Sequence, residues 1–270
     1  MLRYGTVRTR RDTTLIYTAI GSGSGEGGPS PVLLLHPINL RKECWLGVVP
    51  ALARDRLCVS VDLAGHGESG DDGKFSLGGW AEDCADLVAS LGLGRFHAVG
   101  GSLGGTIALA LAGELPSQVL SVTAMGSSLG DERDRADGDG RDEAQALDSV
   151  TVEELFAELA AEAVAPGSPD SLVTTVRHLT NTHGEQVVRR VLRAARDADA
   201  TPWVSRVRSP ALVLTGDYDT TCTPQAGTRL AESVDGRHRV LYGVGHLPML
   251  EAPATLLRIL LPHLETAERR

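Results

Sequence analysis

The stretch Ala98-Val99-Gly100-Gly101-Ser102-Leu103-Gly104-Gly105 constrains this chain more than any other. Phe96 to Val99 is an apolar run that reads as a short buried strand, and Leu103, Ile107, Ala108 and Leu111 recur at helical spacing. Between them lies only Gly100-Gly101-Ser102-Leu103-Gly104, which fits Gly-x-Ser-x-Gly. A strand that turns at once into a helix strains the turn residue and admits only small neighbours. Glycine two positions before and two after Ser102 meets that need and raises its hydroxyl on a sharp corner at a helix N-terminus. The same glycines could serve tight packing or cradle a phosphate. A P-loop wants Gly-Lys-Ser/Thr, and the two lysines, Lys42 and Lys74, are distant in sequence. A dinucleotide loop wants an acidic residue about 20 residues on. Here Val119 to Ala124 follows the helix without one. The nucleophile reading therefore leads, and it requires a base and an orienting acid elsewhere.

The rest of the chain alternates strands and helices. Tyr4–Arg10 and Thr14–Ile20 read as an antiparallel hairpin, and Gly21–Ser30 as a Gly/Ser/Pro loop. Pro31–Leu35 and Leu57–Leu63 are apolar runs expected of strands buried on both faces, with a helix over Cys44–Ala53 between them. A helix over Ser76–Leu91 precedes the serine turn, and the strand Val119–Met125 follows its helix. The alternation then stops. Ser127–Glu143 is dense in charge and glycine and reads as a mobile solvated loop. Thr151-Val-Glu-Glu154 is a capping box opening a helix to about 164. Ser168-Pro169 opens another to about 180, and Glu185–Asp197 is a third. Strand character resumes at Pro210–Gly216, then a helix over Pro224–Ser233, a strand over Arg239–Tyr242 and a last helix over Pro253–Leu264. The pattern predicts an α/β protein with a mostly parallel sheet flanked by helices. Its core is residues 1–126 and 206–270, with a helical cap, 127–205, inserted after the sixth strand.

At 270 residues, with 42% hydrophobic and 23% charged residues, the chain can bury one large core. A net charge of −9 argues against nucleic acid or an anionic membrane surface as a main partner. The polar, basic start carries no signal-like apolar stretch, and no apolar run approaches membrane-spanning length. Cys44, Cys58, Cys84 and Cys222 form no Cys-x-x-Cys pair and read as reduced thiols of a cytoplasmic protein. No cluster has metal-ligand spacing; His178 and His183 have no thiol or carboxylate set beside them. Oligomeric state is left open.

A serine hydroxyl needs a base, usually a histidine held by a carboxylate, and in parallel sheets such groups gather at the carboxyl ends of strands. Two later strands lead into Gly216-Asp217-Tyr218-Asp219 and Gly243-Val244-Gly245-His246. The order Ser102, Asp219, His246 is that of the α/β-hydrolase arrangement. Four motifs then carry a resemblance to that superfamily over nearly the whole chain. His36-Pro37-Ile38-Asn39 takes the place of the His-Gly-x-x oxyanion turn. Asp62-Leu-Ala-Gly-His-Gly-Glu-Ser69 is similar to the Asp-x-x-Gly-x-Gly-x-Ser turn. Gly216-x-x-Asp219 with Pro224 resembles the acid loop, and Gly245-His246-Leu-Pro-Met-Leu-Glu-Ala-Pro253 the histidine loop. Asp219-Thr-Thr-Cys-Thr-Pro224 and Arg196-Asp-Ala-Asp199 resemble most closely the 3-oxoadipate enol-lactonase-like hydrolases.

The resemblance implies Ser102 as nucleophile, His246 as general base and Asp219 as orienting acid, with Asp217 left to satisfy loop backbone. The N–H groups of Ile38 and Leu103 are expected to form an oxyanion hole; Pro37 replaces the usual glycine and has no N–H of its own. His36 and His66 are expected to be structural. Asn39 and Trp45 are pocket candidates, with packing under the cap the alternative for Trp45. The implied activity is cofactor-free hydrolysis of a small-molecule substrate, a small or medium carboxylic ester or lactone, through an acyl-enzyme. C–C bond hydrolysis, thioester hydrolysis, peroxyacid formation and a non-catalytic binding role remain open, because fold and motif do not name a substrate.

Overall fold

A computed structural model of the chain describes residues 2–22, 28–130, 134 and 143–270. Eight strands form one sheet: β1 Leu2–Arg8, β2 Thr14–Ile20, β3 Val32–Leu35, β4 Cys58–Asp62, β5 Phe96–Gly101, β6 Val119–Met125, β7 Ala211–Gly216 and β8 Arg237–Leu241. Their spatial order is β1-β2-β4-β3-β5-β6-β7-β8. β2 pairs antiparallel with β1 and β4, and the remaining pairs are parallel. Seven helices are used below: α1 Leu77–Leu91, α2 Leu103–Glu114, α3 Val152–Glu162, α4 Asp170–His178, α5 Glu185–Arg196, α6 Pro224–Ser233 and α7 Pro253–Glu268.

The continuous apolar runs become the central strands because both faces are covered. Every residue of β3 to β7 is buried. Strand alternation splits them between two cores: Leu33 and Leu35 pack with residues of α1, α2 and α6, while Val32 and Leu34 pack with Trp45 and with Leu256, Leu260 and Leu264 of α7. Each such leucine buried from water is worth about 1.5–3 kcal/mol. Helix α2 is buried continuously from Leu103 to Gly113, which explains a sequence apolar on all sides rather than along one stripe.

Local signals set the boundaries. Ser76 caps α1 by accepting from Gly79 N (3.1 Å). Thr151 and Glu154 close the capping box at the start of α3, with Glu154 N donating to Thr151 Oγ1 at 3.2 Å and Thr151 N to Glu154 Oε2 at 2.9 Å. Three expectations shift. The first strand ends at Arg8 rather than Arg10, because Thr9 N already bonds Thr13 O (2.8 Å) and Asp12 takes a positive φ in the turn. The helix expected over Cys44–Ala53 divides into a 3-10 turn, Lys42–Trp45, and a short helix, Val49–Leu52, whose Pro50 can sit only in a first turn. The last strand starts at Arg237, two residues early, where it pairs with Leu212. Most of the charged stretch Ser127–Glu143, and part of the loop Gly21–Ser30, lies outside the described residues.

Helices α3, α4 and α5 lie between β6 and β7, and no strand occurs there among the described residues. Leu147, Leu155, Phe156, Val188 and Leu192 give this insert a small core of its own. It is tied to the carboxyl ends of the sheet by polar contacts. Asn181 N donates to Asn39 O (2.7 Å) and Asn181 Nδ2 to Gly65 O (2.8 Å). Thr182 Oγ1 donates to Gly67 O (3.1 Å), and His183 Nε2 to Ser69 O (2.9 Å). His178 is on the exposed side and bonds its own helix at Thr174 O.

Four buried histidines set an acid limit on stability. Burial lowers the pKa of His36, His97 and His263 to about 4 and moves that of His66 in the same direction. In the unfolded chain each titrates near about 6.5. The unfolded state therefore binds more protons as pH falls from 6.5 toward 4, so stability present above pH 6.5 is lost across that window, at up to about 1.4 kcal/mol per pH unit for each histidine. Thermal melts from pH 7 to 4.5 should show a steep fall in Tm. His263→Gln, which keeps a donor for Val122 O (3.2 Å), should make that fall shallower. An unchanged slope in the variant would contradict the assignment.

Candidate active site

The site follows from strand order. The chain moves from β3 outward to β4 on one side and from β5 to β6 on the other, so the connections leaving neighbouring β3 and β5 part at their carboxyl ends and open a crevice. The turn His36–Asn39 leaves β3, and Ser102 leaves β5.

Ser102 is the single residue between β5 and α2 and holds φ 49, ψ −124, which costs on the order of 1–3 kcal/mol for a residue with a side chain. Its surroundings compensate. Ser102 N donates to Met125 O (2.7 Å), and Ser102 O accepts from Gly105 N (2.9 Å) and from the hydroxyl of Ser127 (2.9 Å). The elbow also needs α2 pressed against the sheet. A side chain at Gly104 would strike the carbonyl of Leu35, and one at Gly100 the carbonyl of Gly104. Ser127 carries no site signal in the sequence, where it reads only as the start of a loop.

His246 lies after β8 and Asp219 after β7. Asp219 Oδ1 accepts from Thr221 N (3.0 Å) and Cys222 N (2.8 Å), which fixes the carboxylate; its Oδ2 lies 2.9 Å from His246 Nδ1. The Asp219 side chain is fully buried. A carboxylate can only accept, so Nδ1 carries the proton and Nε2 is the basic nitrogen of the neutral ring. Gly126, at φ 51, makes room for this pair: a Cβ there would come within 2.9 Å of Asp219 Oδ2 and 3.1 Å of His246 Nδ1. Asp217 has a separate task, accepting from Gly243 N (2.7 Å) and Val244 N (3.3 Å) in the loop that leads to His246.

Ser102, His246, Ile38 and Asn39 line one cavity of about 120 Å³, closed by Phe156, Leu159 and Ala160 of α3. Leu103 opens α2, so its N–H has no acceptor within the helix. His36 fixes the turn that carries Ile38. Its Nε2 accepts from Leu63 N (3.0 Å), so Nδ1 holds the proton and donates to Pro37 O (2.7 Å). The buried ring, its pKa lowered to about 4, stays neutral in that role. His66 packs edge-on against it, with ring centroids 4.9 Å apart. Asn39 takes a positive φ of 62 and is held by the bond from Asn181. Trp45 does not line the cavity. Its side chain is fully buried in the core with Leu34 and Leu260, where its size fills the space under the 3-10 turn. Beyond Asn39 the turn is anchored by Lys42, whose Nζ meets Asp62 Oδ2 (2.7 Å) and Glu68 Oε2 (2.6 Å). Burial works to lower the Lys42 pKa, but these carboxylates raise it and keep the charge in place.

Glu251, quoted above only as part of the histidine loop, accepts three backbone N–H groups around His246. Its sequence signal is a lone acid in an apolar loop five residues after the histidine. Among the described residues, no group of three or more His, Cys, Asp or Glu is placed to hold a metal ion.

Comparison with known proteins agrees with this architecture. Residues 32–259 match the model of the alpha/beta hydrolase family. Pimeloyl-[acyl-carrier protein] methyl ester esterase of Chromobacterium violaceum is 32% identical over 250 residues, covering 88% of this chain and 95% of that protein. A hydrolase from Pseudomonas aeruginosa superposes with a TM-score of 0.84 at 25% identity, over 97% of this chain and 98% of that one. The enol-lactonase of Burkholderia xenovorans shares the fold, with a TM-score of 0.83 at 18% identity over 97% of this chain and all of that one. The chain thus belongs to the alpha/beta hydrolase family.

Proposed function

We propose that this protein is a serine hydrolase that cleaves small carboxylic esters or lactones, without a cofactor, through an acyl-enzyme on Ser102. The observation that carries the reading is the His246–Asp219 hydrogen bond, at 2.9 Å, in the wall of a cavity that Ser102 also lines. In this reading His246 Nε2 takes the Ser102 proton as Oγ attacks the substrate carbonyl. Asp219 holds the ring and stabilises the imidazolium. The N–H groups of Ile38 and Leu103 hold the oxyanion of the tetrahedral intermediate. Its collapse breaks the acyl C–O bond, and the leaving alcohol takes the proton from His246; in a lactone that alcohol stays attached to the acyl chain. Water, deprotonated by His246, then attacks the acyl carbonyl and frees the acid and Ser102. No step calls for a metal or a redox group.

An ester named in the Chromobacterium relative supports ester cleavage over the C–C and thioester alternatives. The cavity, about 120 Å³ against the roughly 300–1,000 Å³ of drug-sized pockets, supports a short acyl group. The described residues of the insert 127–205 serve as a cap over the described residues of the core 1–126 and 206–270, with α3 closing the cavity. The four cysteines are buried free thiols, which fits a cytoplasmic protein. No helix among the described residues is long and apolar enough to cross a membrane.

Purified protein should hydrolyse p-nitrophenyl acetate and butyrate with kcat/KM at least about tenfold above the dodecanoate, and Ser102→Ala should lose about 10⁴-fold or more in kcat. Equal turnover by the variant would sink the acyl-enzyme, and a preference for dodecanoate would sink the short-acyl assignment. Gly126→Ala should cost at least about tenfold in kcat by crowding the Asp219–His246 pair, since misplacement of about 1 Å is worth about 10²-fold. Wild-type kcat in a folded Gly126→Ala protein would show that the close approach has no part in holding the base.

A further inference from the structure

We infer that Glu251 is a positioning residue for His246, and that it works by fastening the histidine loop to the helical insert. The inference rests on the hydrolase reading above, in which His246 is the base. Glu251 Oε2 accepts from Gly245 N (2.8 Å) and from Ala165 N (2.8 Å), and its Oε1 accepts from Leu247 N (2.9 Å). The two loop donors flank His246, and the third belongs to the segment that follows α3. His246 N itself donates to Ala163 O (2.8 Å) in that same segment. Asp217 takes the two N–H groups before these, Gly243 and Val244. Five successive backbone N–H groups, from Gly243 to Leu247, are thus each held by an acceptor outside the run.

The chemistry of the three partners requires a carboxylate. All are N–H donors, and a carboxylate has two oxygens that only accept. Glutamine has the same shape but would turn an NH₂ toward at least one N–H, leaving that donor unpaired in a partly buried place. Bonds to an ionised oxygen are also about twice as strong as neutral ones. Asp219 fixes the orientation of the ring, whereas Glu251 fixes the backbone that carries it, and the bond to Ala165 makes the insert part of that frame. Ala160 and Ala163, which line the cavity beside His246, are consequently held at a set distance from the base.

The test is Glu251→Gln and Glu251→Asp, assayed with p-nitrophenyl butyrate, with active sites titrated by the p-nitrophenolate burst. A purely structural role would lower Tm and the titrated fraction but leave kcat per site unchanged. The positioning role predicts that Glu251→Gln loses about tenfold or more in kcat per site with KM within about twofold. Glu251→Asp, an acceptor one methylene shorter, should recover part of the loss. A Glu251→Gln protein with kcat per site within twofold of wild type overturns the inference while the hydrolase reading stands. A wild-type protein with no burst and no turnover overturns both. If neither variant folds, amide hydrogen exchange on the wild-type protein decides. Gly245, Leu247 and Ala165 should open as one unit with equal protection, and an Ala165 amide that exchanges independently overturns the inference.

Discussion

Helix α2 lies close enough to β3 and β5 for the strand to become a helix across one residue, and the rest of the site depends on that approach. It forces Ser102 to φ 49, which an L-residue holds only when its neighbours determine it. The determinants come from three elements: Met125 O at the end of β6, the Ser127 hydroxyl just beyond it, and Leu35 of β3 over Gly104. Because β3 and β5 are hydrogen-bonded neighbours whose chains part, the same approach sets the Ile38 turn beside the start of α2. Ser102 and the Ile38 turn therefore line one cavity as a consequence of strand order, with loops only refining the distances.

His246 is held by a different device. Three carboxylates divide the work around one histidine. Asp219 meets the ring, Asp217 holds the backbone leading to it, and Glu251 holds the backbone on either side of it. Each is used as an acceptor of N–H groups, so none needs a countercharge to stay in place. In the hydrolase reading proposed above, this arrangement keeps the orientation of the ring fixed while its own charge changes. The two glycines of the loop have separate reasons: Gly243 takes a positive φ of 75, and a Cβ at Gly245 would come within 2.8 Å of Ala163 O and Ala165 N.

Much of this was legible in the sequence, for identifiable reasons. Strands β3 to β7 are mostly apolar and buried throughout because helices cover both faces, and the Gly-x-Ser-x-Gly of Gly100–Gly104 falls where a strand meets a helix directly. The order of Ser102, Asp219 and His246 and the capping box at Thr151 are likewise local signals. What escaped depended on contacts between distant segments. Nothing near Gly126 announces that a Cβ there would come within 2.9 Å of Asp219 and 3.1 Å of the His246 ring. Glu251 reads as an unremarkable acid until Ala165, 86 residues away, is seen to share it. Trp45 reads from the sequence as a pocket candidate or as packing under the cap, and the choice depends on its core contacts with Leu34 and Leu260, which lie far from it in sequence or on other elements. The hairpin boundary moved for a simpler reason, since turn residues and strand residues of that edge are equally polar.

The central claim is that Ser102 is the nucleophile and that the N–H groups of Ile38 and Leu103 receive the charge it creates. The most direct measurement is a crystal structure of the protein after reaction with a small fluorophosphonate, whose tetrahedral phosphorus mimics the intermediate. The account predicts a covalent bond from Ser102 Oγ to phosphorus, with the phosphonyl oxygen within about 3 Å of both nitrogens and His246 still bonded to Asp219. An unmodified Ser102, or an adduct whose phosphonyl oxygen turns away from Ile38 and Leu103, would contradict it.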